Sequence, residues 1–531
     1  MQTFLLFPFF RYNHYYYIEK QTAMLKYTNK STMKKLTTLT EGMQLIHNGN
    51  QIYTVTQELS NNFKEGDKLI FIPDSNEPIH IPKFATDLVA KEIKLAKEGF
   101  YELASATDEQ INTFFDQFST NLANDTIWKK IQTINHDDIK VAKEKKKSTT
   151  RLEANDTCRN NMIEGLQQFK NQPLKRLSKI QTISHDTWSV ELLKNPLGVV
   201  GFVFEGRPNV IADATGVLKS GNTVVFRVGQ DALQTAKAIM ELALYPALDQ
   251  ANLSRNCIRL LDHTSRATAW ALFSNKNLNL AVARGSGHAT RVLGNIAYQH
   301  GVPVSLHGTG GAWMMTSEST DPQRLQDAII GSLDRKVCNT LNTICILKSH
   351  QETLLSATFN ALEKAGKNLN ESYKVHIESN SLTYISNDKI NLKINVTRAT
   401  GTQQEKQFET IDITKIGTEW EWEKTPEITL IIVESIDEAI KLYNTYSPQF
   451  VASLITQNET ELTHFFNHIN APFVGNGMTR WVDGQYALLA PELGLSNWEN
   501  GRLLARSAIL SGDSIYTTRL KMIQKESNLK R

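Results

Sequence analysis

The feature that most constrains this chain is a strict alternation of buried-type strands and amphipathic helices beginning near residue 198. Residues 198–204 (GVVGFVF) are continuously apolar, the pattern of a strand covered on both faces. Residues 210–218 read as a helix and end at Lys219-Ser220-Gly221-Asn222. A strand at 223–228 follows, then a helix at 232–244 with Asp231 as its N-cap and Pro246 beyond its end. Strands at 258–261, 278–283 and 302–306 alternate with helices at 264–273 and 288–300. A second series runs from a strand at 344–347 through 352–365, 428–433, 436–443, 451–455 and 459–469 to Phe473-Val474. Such alternation demands right-handed crossovers and parallel sheets with helices on both faces. Ligands of such sheets sit beyond the carboxyl ends of the strands.

At 531 residues the chain has room for several domains, and its 40% hydrophobic content is that of a globular protein. A net charge of +3 with scattered basic residues argues against a nucleic-acid partner. No apolar run reaches the ~18 residues of a membrane span. Cys158, Cys257, Cys338 and Cys345 form no CxxC pair and no metal-type spacing, so a reducing cytoplasm and no metal site are expected. Residues 1–42 read as a poorly ordered or over-extended start, with a transit peptide, Met24 or Met33 as alternatives. Residues 43–95 read as a small β-rich extension, because Asn48-Gly49 separates two strand-like runs and Asp74-Ser75-Asn76 is a turn. A helix is expected over 85–117 and another over 151–169. The charge run 142–147 reads as a solvated helix face or connector, and the polar stretch 379–424 as an exposed insertion.

One cysteine lies where the two series meet, in Asp334-Arg335-Lys336-Val337-Cys338-Asn339-Thr340. Preceding cations lower a thiol pKa, so Arg335 and Lys336 would favour a thiolate at Cys338. The surrounding motifs are Asn195-Pro196-Leu197-Gly198, Phe204-Glu205-Gly206-Arg207-Pro208-Asn209-Val210 and Leu218-Lys219-Ser220-Gly221-Asn222. They are followed by Val337-Cys338-Asn339, Thr479-Arg480-Trp481-Val482-Asp483-Gly484 and Glu492-Leu493-Gly494. In this order, over roughly residues 151–519, they resemble the γ-glutamyl phosphate reductase (glutamate-5-semialdehyde dehydrogenase) family of the aldehyde dehydrogenase superfamily.

The resemblance implies an α/β, aldehyde dehydrogenase-like fold with two Rossmann-like parallel-sheet domains. A cofactor domain would comprise 96–302 with 470–499, and a catalytic domain 303–469. A small β-flap, 171–194 with 500–531, would pair subunits into a homo-oligomer. The implied reaction is NADPH-dependent reduction of an acyl phosphate, by default L-glutamyl 5-phosphate, to its semialdehyde, as in proline biosynthesis. Cys338 would attack the acyl carbon, expel phosphate and form a thioester for hydride to reduce. Asn209 and the Cys338 backbone N–H would hold the oxyanion. Arg284-Gly285-Ser286-Gly287 lies between a strand and a helix, where small residues admit a pyrophosphate to backbone N–H groups. By resemblance the cofactor residues are Glu205, Pro208, Arg227, Gly285, Ser286 and Glu492, with the Arg227 guanidinium suited to a 2′-phosphate. Asn339, Asn476 and Arg480 would contact substrate, and His307 is left outside the catalytic set.

Three departures bear on the substrate. The family pattern Ala-Met-Glu-Thr after Cys-Asn is here Thr340-Leu341-Asn342-Thr343, so an acid is replaced by Asn342. The polar Gly-Ser-x-His run becomes Ser447-Pro448-Gln449-Phe450-Val451-Ala452-Ser453, and an Asp becomes Thr309. The alternatives are an acyl-CoA reductase, an aldehyde dehydrogenase of another substrate, or a non-catalytic subunit.

Overall fold

The computed structural model describes residues 35–527 apart from 74, 76, 146–148, 150, 174–175, 399–400, 500–501 and 504–507. Most of the 1–42 stretch, the Asp74 and Asn76 ends of the expected turn and the tail of the 142–147 charge run therefore lie outside the described residues.

Two parallel sheets organise the fold. The first contains β1 (Val199–Val203), β2 (Thr223–Arg227), β3 (Ile258–Leu260), β4 (Leu280–Arg284) and β5 (Val304–His307), in the order β5-β4-β1-β2-β3. The second contains β6 (Ala312–Thr316), β7 (Leu341–Leu347), β8 (Lys374–Glu378), β9 (Phe408–Ile411), β10 (Glu427–Val433), β11 (Val451–Ile455) and β12 (Phe473–Gly475). Its order is β9-β8-β10-β7-β6-β11-β12, again all parallel.

The continuous apolar runs follow from burial on both faces. Val200, Phe202 and Val224 pack into one core, and Val199, Val203 and Val225 into the other. The second sheet does the same: Ile344 and Ile346 face one core, Cys345 and Trp313 the opposite one. Cys345 is thus a core residue.

Three expected boundaries move. Val304–His307 pairs with β4, so the first unit extends past 302, and Phe473–Gly475 pairs with β11, so it belongs to the second sheet rather than to the cofactor unit. The expected division at 95 cuts the helix Lys83–Leu103, whose Ala85, Val89 and Ile93 pack with Ile70 and Ile81 onto the first sheet. Only the leading part of the extension stands apart, as the hairpin Gln44–His47 with Gln51–Thr54, turned through left-handed Asn48 and Gly49. A three-stranded antiparallel sheet of Lys179–Ser184, Trp188–Pro196 and Tyr516–Gln524 completes the fold. It leaves Ile180, Ile183, Leu520, Met522 and Ile523 exposed.

The Leu218–Asn222 motif is a clasp for that closure. Gly221 takes a left-handed turn (φ 80°) that brings the Asn222 amide inward. Asn222 Oδ1 accepts from Leu197 N (2.7 Å) and Gly198 N (2.9 Å), and its Nδ2 donates to Ile515 O (2.7 Å). Ser220 Oγ reaches Gly512 O, and Lys219 Nζ donates to Gln172 O (2.7 Å). Burial pushes the Lys219 ammonium down to about 8.

Candidate active site

The carboxyl ends of β1, β2, β4 and β5 face the amino ends of β6, β7 and β11, and Cys338 lies at that junction. Its loop precedes β7, and its carbonyl accepts from Gly311 N (2.7 Å) just before β6. A side chain on Gly310 would stand 2.4–2.8 Å from Cys338 O, Cα and Cβ, so only glycine permits this approach. The thiol is half-buried against a small apolar cluster that includes Ala312, Phe450, Phe473 and Val482.

The expected activation by Arg335 and Lys336 does not occur. Arg335 is exposed, 4.0 Å from Asp334, and Lys336 Nζ is spent on Glu419 (2.6 Å). Burial, followed by the Glu419 charge, pushes the Cys338 thiol up to about 11, and Arg284 and Arg207 pull the other way. Cys158 and Cys257 are pushed up to about 12 by burial, and Cys345 is raised as well.

On the first-sheet side the Arg207 and Arg284 guanidiniums act on Cys338, and a third, Arg227, ends β2. Arg207 Nη2 pairs with Glu205 (2.8 Å), which also meets Arg151 (3.2 Å). Arg284 lies 3.6 Å from Asp213 and 3.4 Å from the Glu492 carbonyl. Arg227 donates to Thr264 O (3.2 Å). The Nε atoms of all three are buried without a partner. Burial lowers Arg207 and Arg227. For Arg284 burial is outweighed by Glu492, Asp213 and Glu205, which hold the guanidinium above its ordinary range. Burial raises Asp213 to about 7 and also raises Glu492.

These features suit an anionic dinucleotide. Gly285 has open space where a side chain would stand, and Ser286 caps the helix Gly287–Gln299 that starts beside it. Pro208 is buried beneath the same crevice. The orphaned guanidiniums supply donors for phosphate oxygens. Among the described residues no cluster of His, Cys, Asp or Glu could hold a metal, and no helix is long and apolar enough to cross a membrane.

Asn209 precedes the helix Val210–Thr215, and its side chain does not cap it. The expected substrate residues stand differently. Asn339 donates to Val482 O (2.6 Å) and accepts from Arg480, which also pairs with Asp334 (2.6 Å). Both side chains thus brace the Cys338 loop against the 479–482 turn. Asn476 lies beyond the carboxyl end of β12, bonded to Thr456 O (3.4 Å) and to Arg324. Cys338 sits at the amino end of that sheet, just before β7, so Asn476 is not beside it. His307 Nδ1 accepts from Leu495 N (3.2 Å), and burial with Arg284 and Arg207 keeps the ring neutral.

Sequence reading missed Glu419 and Arg284 as site groups. Arg284 could have been suspected from a cation ending a buried strand. Glu419 had no such signal, because it arrives on the polar stretch read as an exposed insertion. Asn342 holds that stretch: its Nδ2 donates to Thr418 O (2.8 Å) and its Oδ1 accepts from Trp420 N (2.9 Å). Glu419 Oε2 then accepts from Gly310 N (2.7 Å).

No protein-family model matches the chain. A gamma-glutamyl phosphate reductase from Bacillus cereus (strain AH820) is 28% identical over 413 residues, covering 76% of this chain and 91% of that protein. By sequence the chain is similar to the gamma-glutamyl phosphate reductases. The crystal structure of the homologue from Thermotoga maritima aligns with a TM-score of 0.71 at 22% identity, over 84% of this chain and all of that one. An acetylating aldehyde dehydrogenase from Geobacillus thermoglucosidasius aligns with a TM-score of 0.59 at 13% identity, over 84% of this chain and 98% of the other. The homologue's fold is therefore aldehyde dehydrogenase-like.

Proposed function

We propose that this protein is an NADPH-dependent acyl phosphate reductase that acts through a Cys338 thioester, with L-glutamyl 5-phosphate as the default substrate. The single observation that carries the reading is a cysteine at the cleft between the sheets, opposite the Arg207 and Arg284 guanidiniums, whose Nε donors are buried without a partner. Cys338 forms the C–S bond as phosphate leaves. Arg207 and Arg284 favour a small, highly charged leaving group, because their unpaired Nε donors are already desolvated. The Cys338 backbone N–H and the Asn209 amide hold the acyl oxygen as it gains charge. A bound nicotinamide supplies the hydride. The Arg227 guanidinium at the β2 terminus supports a 2′-phosphate on that cofactor, and Glu492 with Gly285 and Ser286 supports its seat in the crevice. The apolar residues left on the flap support a homo-oligomer, and a cytoplasmic setting agrees with the lack of cysteine pairing among the described residues.

The test is NADPH consumption against acyl phosphates, acyl-CoA thioesters and aldehydes, beside a Cys338→Ala control. In the reverse direction the reading expects oxidation of glutamate semialdehyde to require inorganic phosphate. Turnover of acyl-CoA in preference to acyl phosphate would overturn it.

A further inference from the structure

Two stretches of chain enclose Cys338: residues 308–311, which lead into β6, and residues 334–340, which lead into β7. Beyond the first rungs of two parallel strands, backbone groups have no ladder partner and must find others. Here the ladder is also irregular. Leu341 pairs with Ala312 and Thr343 with Trp313, so Asn342 is an extra residue on β7, and such a bulge re-aims a side chain. Gly311 makes room for it: its φ is 106°, and a Cβ there would stand 3.3 Å from Asn342 Cβ. The Asn342 amide turns to residues 416–421, a strap across the amino ends of β6 and β7. Its Nδ2 donates to Thr418 O (2.8 Å) and its Oδ1 accepts from Trp420 N (2.9 Å), so it grips the residues on both sides of Glu419. Thr343 Oγ1 donates to Ile416 O (3.1 Å). The Trp420 ring stacks on His376 at 3.6 Å, and its Nε1 donates to Thr429 Oγ1 (2.8 Å).

Held in this way, Glu419 joins the two stretches. One carboxylate oxygen accepts from Gly310 N (2.7 Å) and the other from Lys336 Nζ (2.6 Å), whose side chain is buried. Gly310 is the residue packed against Cys338 O, Cα and Cβ, and Lys336 lies two positions before Cys338 in the chain. The bond from Gly311 N to Cys338 O closes the same junction. Both carboxylate oxygens are taken, so Glu419 acts through the groups it holds. We propose that Glu419 is a positioning residue: it fixes Gly310 against Cys338 and thereby sets where the sulfur stands in the cleft.

The inference rests on the reading of Cys338 as an acylated nucleophile. Two groups depend on the side chain at 419. The Gly310 N–H needs an acceptor, and the buried Lys336 ammonium needs a counter-charge. Alanine at 419 removes both, and the 308–311 loop is then free to draw back from Cys338. A shift of about 1 Å in a reacting group costs roughly 10²-fold in rate. The loss falls on the chemical step rather than on binding, because Glu419 reaches the acyl group only through the loop. What Gly310 requires is an acceptor at that point, not a charge.

The test measures the pre-steady-state burst of 4-nitrophenolate from 4-nitrophenyl acetate on the full-length protein without cofactor, over a range of ester concentrations. The burst reports acylation and is lost in Cys338→Ala. Its limiting rate and half-saturating concentration separate chemistry from binding. In Glu419→Ala the limiting rate falls by roughly 10²-fold while the half-saturating concentration holds within about threefold, and circular dichroism and the melting temperature show the protein folded. Glu419→Gln combined with Lys336→Met recovers most of the lost rate, since the acceptor for Gly310 N–H is kept and no buried charge is left unpaired. Glu419→Ala combined with Gly310→Ala is no slower than the slower single variant, because both disturb one contact. If Glu419→Ala does not fold, Asn342→Ala, which frees the strap at Thr418 and Trp420, is read in its place with the same loss expected. An unchanged limiting rate, a loss confined to half-saturation, or losses that multiply in the double variant overturns the positioning role and leaves the nucleophile intact. A parent protein without a Cys338-dependent burst overturns the reading of Cys338 on which the role rests.

Discussion

Replacing Gly310 by alanine tests how closely Cys338, the proposed nucleophile, is positioned. The new methyl would lie 2.4 Å from Cys338 O, 2.6 Å from its Cα and 2.8 Å from its Cβ. Ordinary carbon contacts begin near 3.5 Å, so one backbone must move by about 1 Å. Gly310 cannot yield freely, because Glu419 holds its N–H and Gly311 N is bonded to the Cys338 carbonyl. The displacement therefore falls on the Cys338 loop. A misplacement of about 1 Å in a reacting group costs roughly 10²-fold in rate. Gly310→Ala should lose about that factor in kcat/KM for acyl phosphate reduction, and the 4-nitrophenyl acetate burst should slow in parallel. Circular dichroism and the melting temperature separate this from unfolding. A folded Gly310→Ala protein that keeps its activity within about threefold would refute the reasoning, since ΔΔG‡ would then be under ~1 kcal/mol.

Asn222→Ala should lower stability by at least ~3 kcal/mol, because three buried backbone groups at Leu197, Gly198 and Ile515 lose a partner at ~1–3 kcal/mol each; chemical denaturation measures it. Asp213, raised to about 7, holds a proton that the unfolded chain loses near 4. Its contribution is thus full in acid and is lost as pH rises toward 7, so Asp213→Asn should flatten the melting temperature across that window. Leu520→Lys, on an apolar patch of the flap, should shift sedimentation toward a smaller species without loss of secondary structure.

The two sheets were legible because burial on both faces leaves a continuous apolar signature in each strand. The place of Cys338 at the junction of the two sheets was legible because it falls between the two series, in order with the Arg207-Pro208-Asn209 and Leu218–Asn222 motifs. The latter motif nevertheless proved to be a backbone clasp: Asn222 and Ser220 bond residues 512–515, nearly 300 positions away, and no local pattern reports such a partner. The thiol's environment was misread for a related reason. Lys336 is adjacent in sequence, but its ammonium is drawn to Glu419, while Arg207 and Arg284 act on the sulfur from the other sheet. Asn339 and Arg480, expected at the substrate, bond to one another and to Val482 O and Asp334.

The three departures from the family pattern are not independent, because all of them surround one segment, a strap of residues 416–421 tied to Asn342, Thr343 and Gly310. Asn342 holds its Thr418 and Trp420 backbone, Gly417 abuts the Tyr446 carbonyl and Ser447, and Glu419 meets Gly310 next to Thr309. An acid absent at 342 is thus accompanied by an acid present at 419, in contact with the same loop. It follows that restoring the family residue alone should fail. Asn342→Glu puts a carboxylate into a site that is 3% exposed, opposite the Thr418 carbonyl, where an amide N–H now donates. An uncompensated buried charge of this kind costs about 3–5 kcal/mol. The local way to relieve it is to release the strap, which would expose the 416–421 backbone and withdraw Glu419 from Gly310. Limited proteolysis should then cut within 416–421 in Asn342→Glu and not in the parent. If Asn342→Glu were as protease-resistant and as active as the parent, the strap would not depend on Asn342, and the coupling between these departures would be wrong.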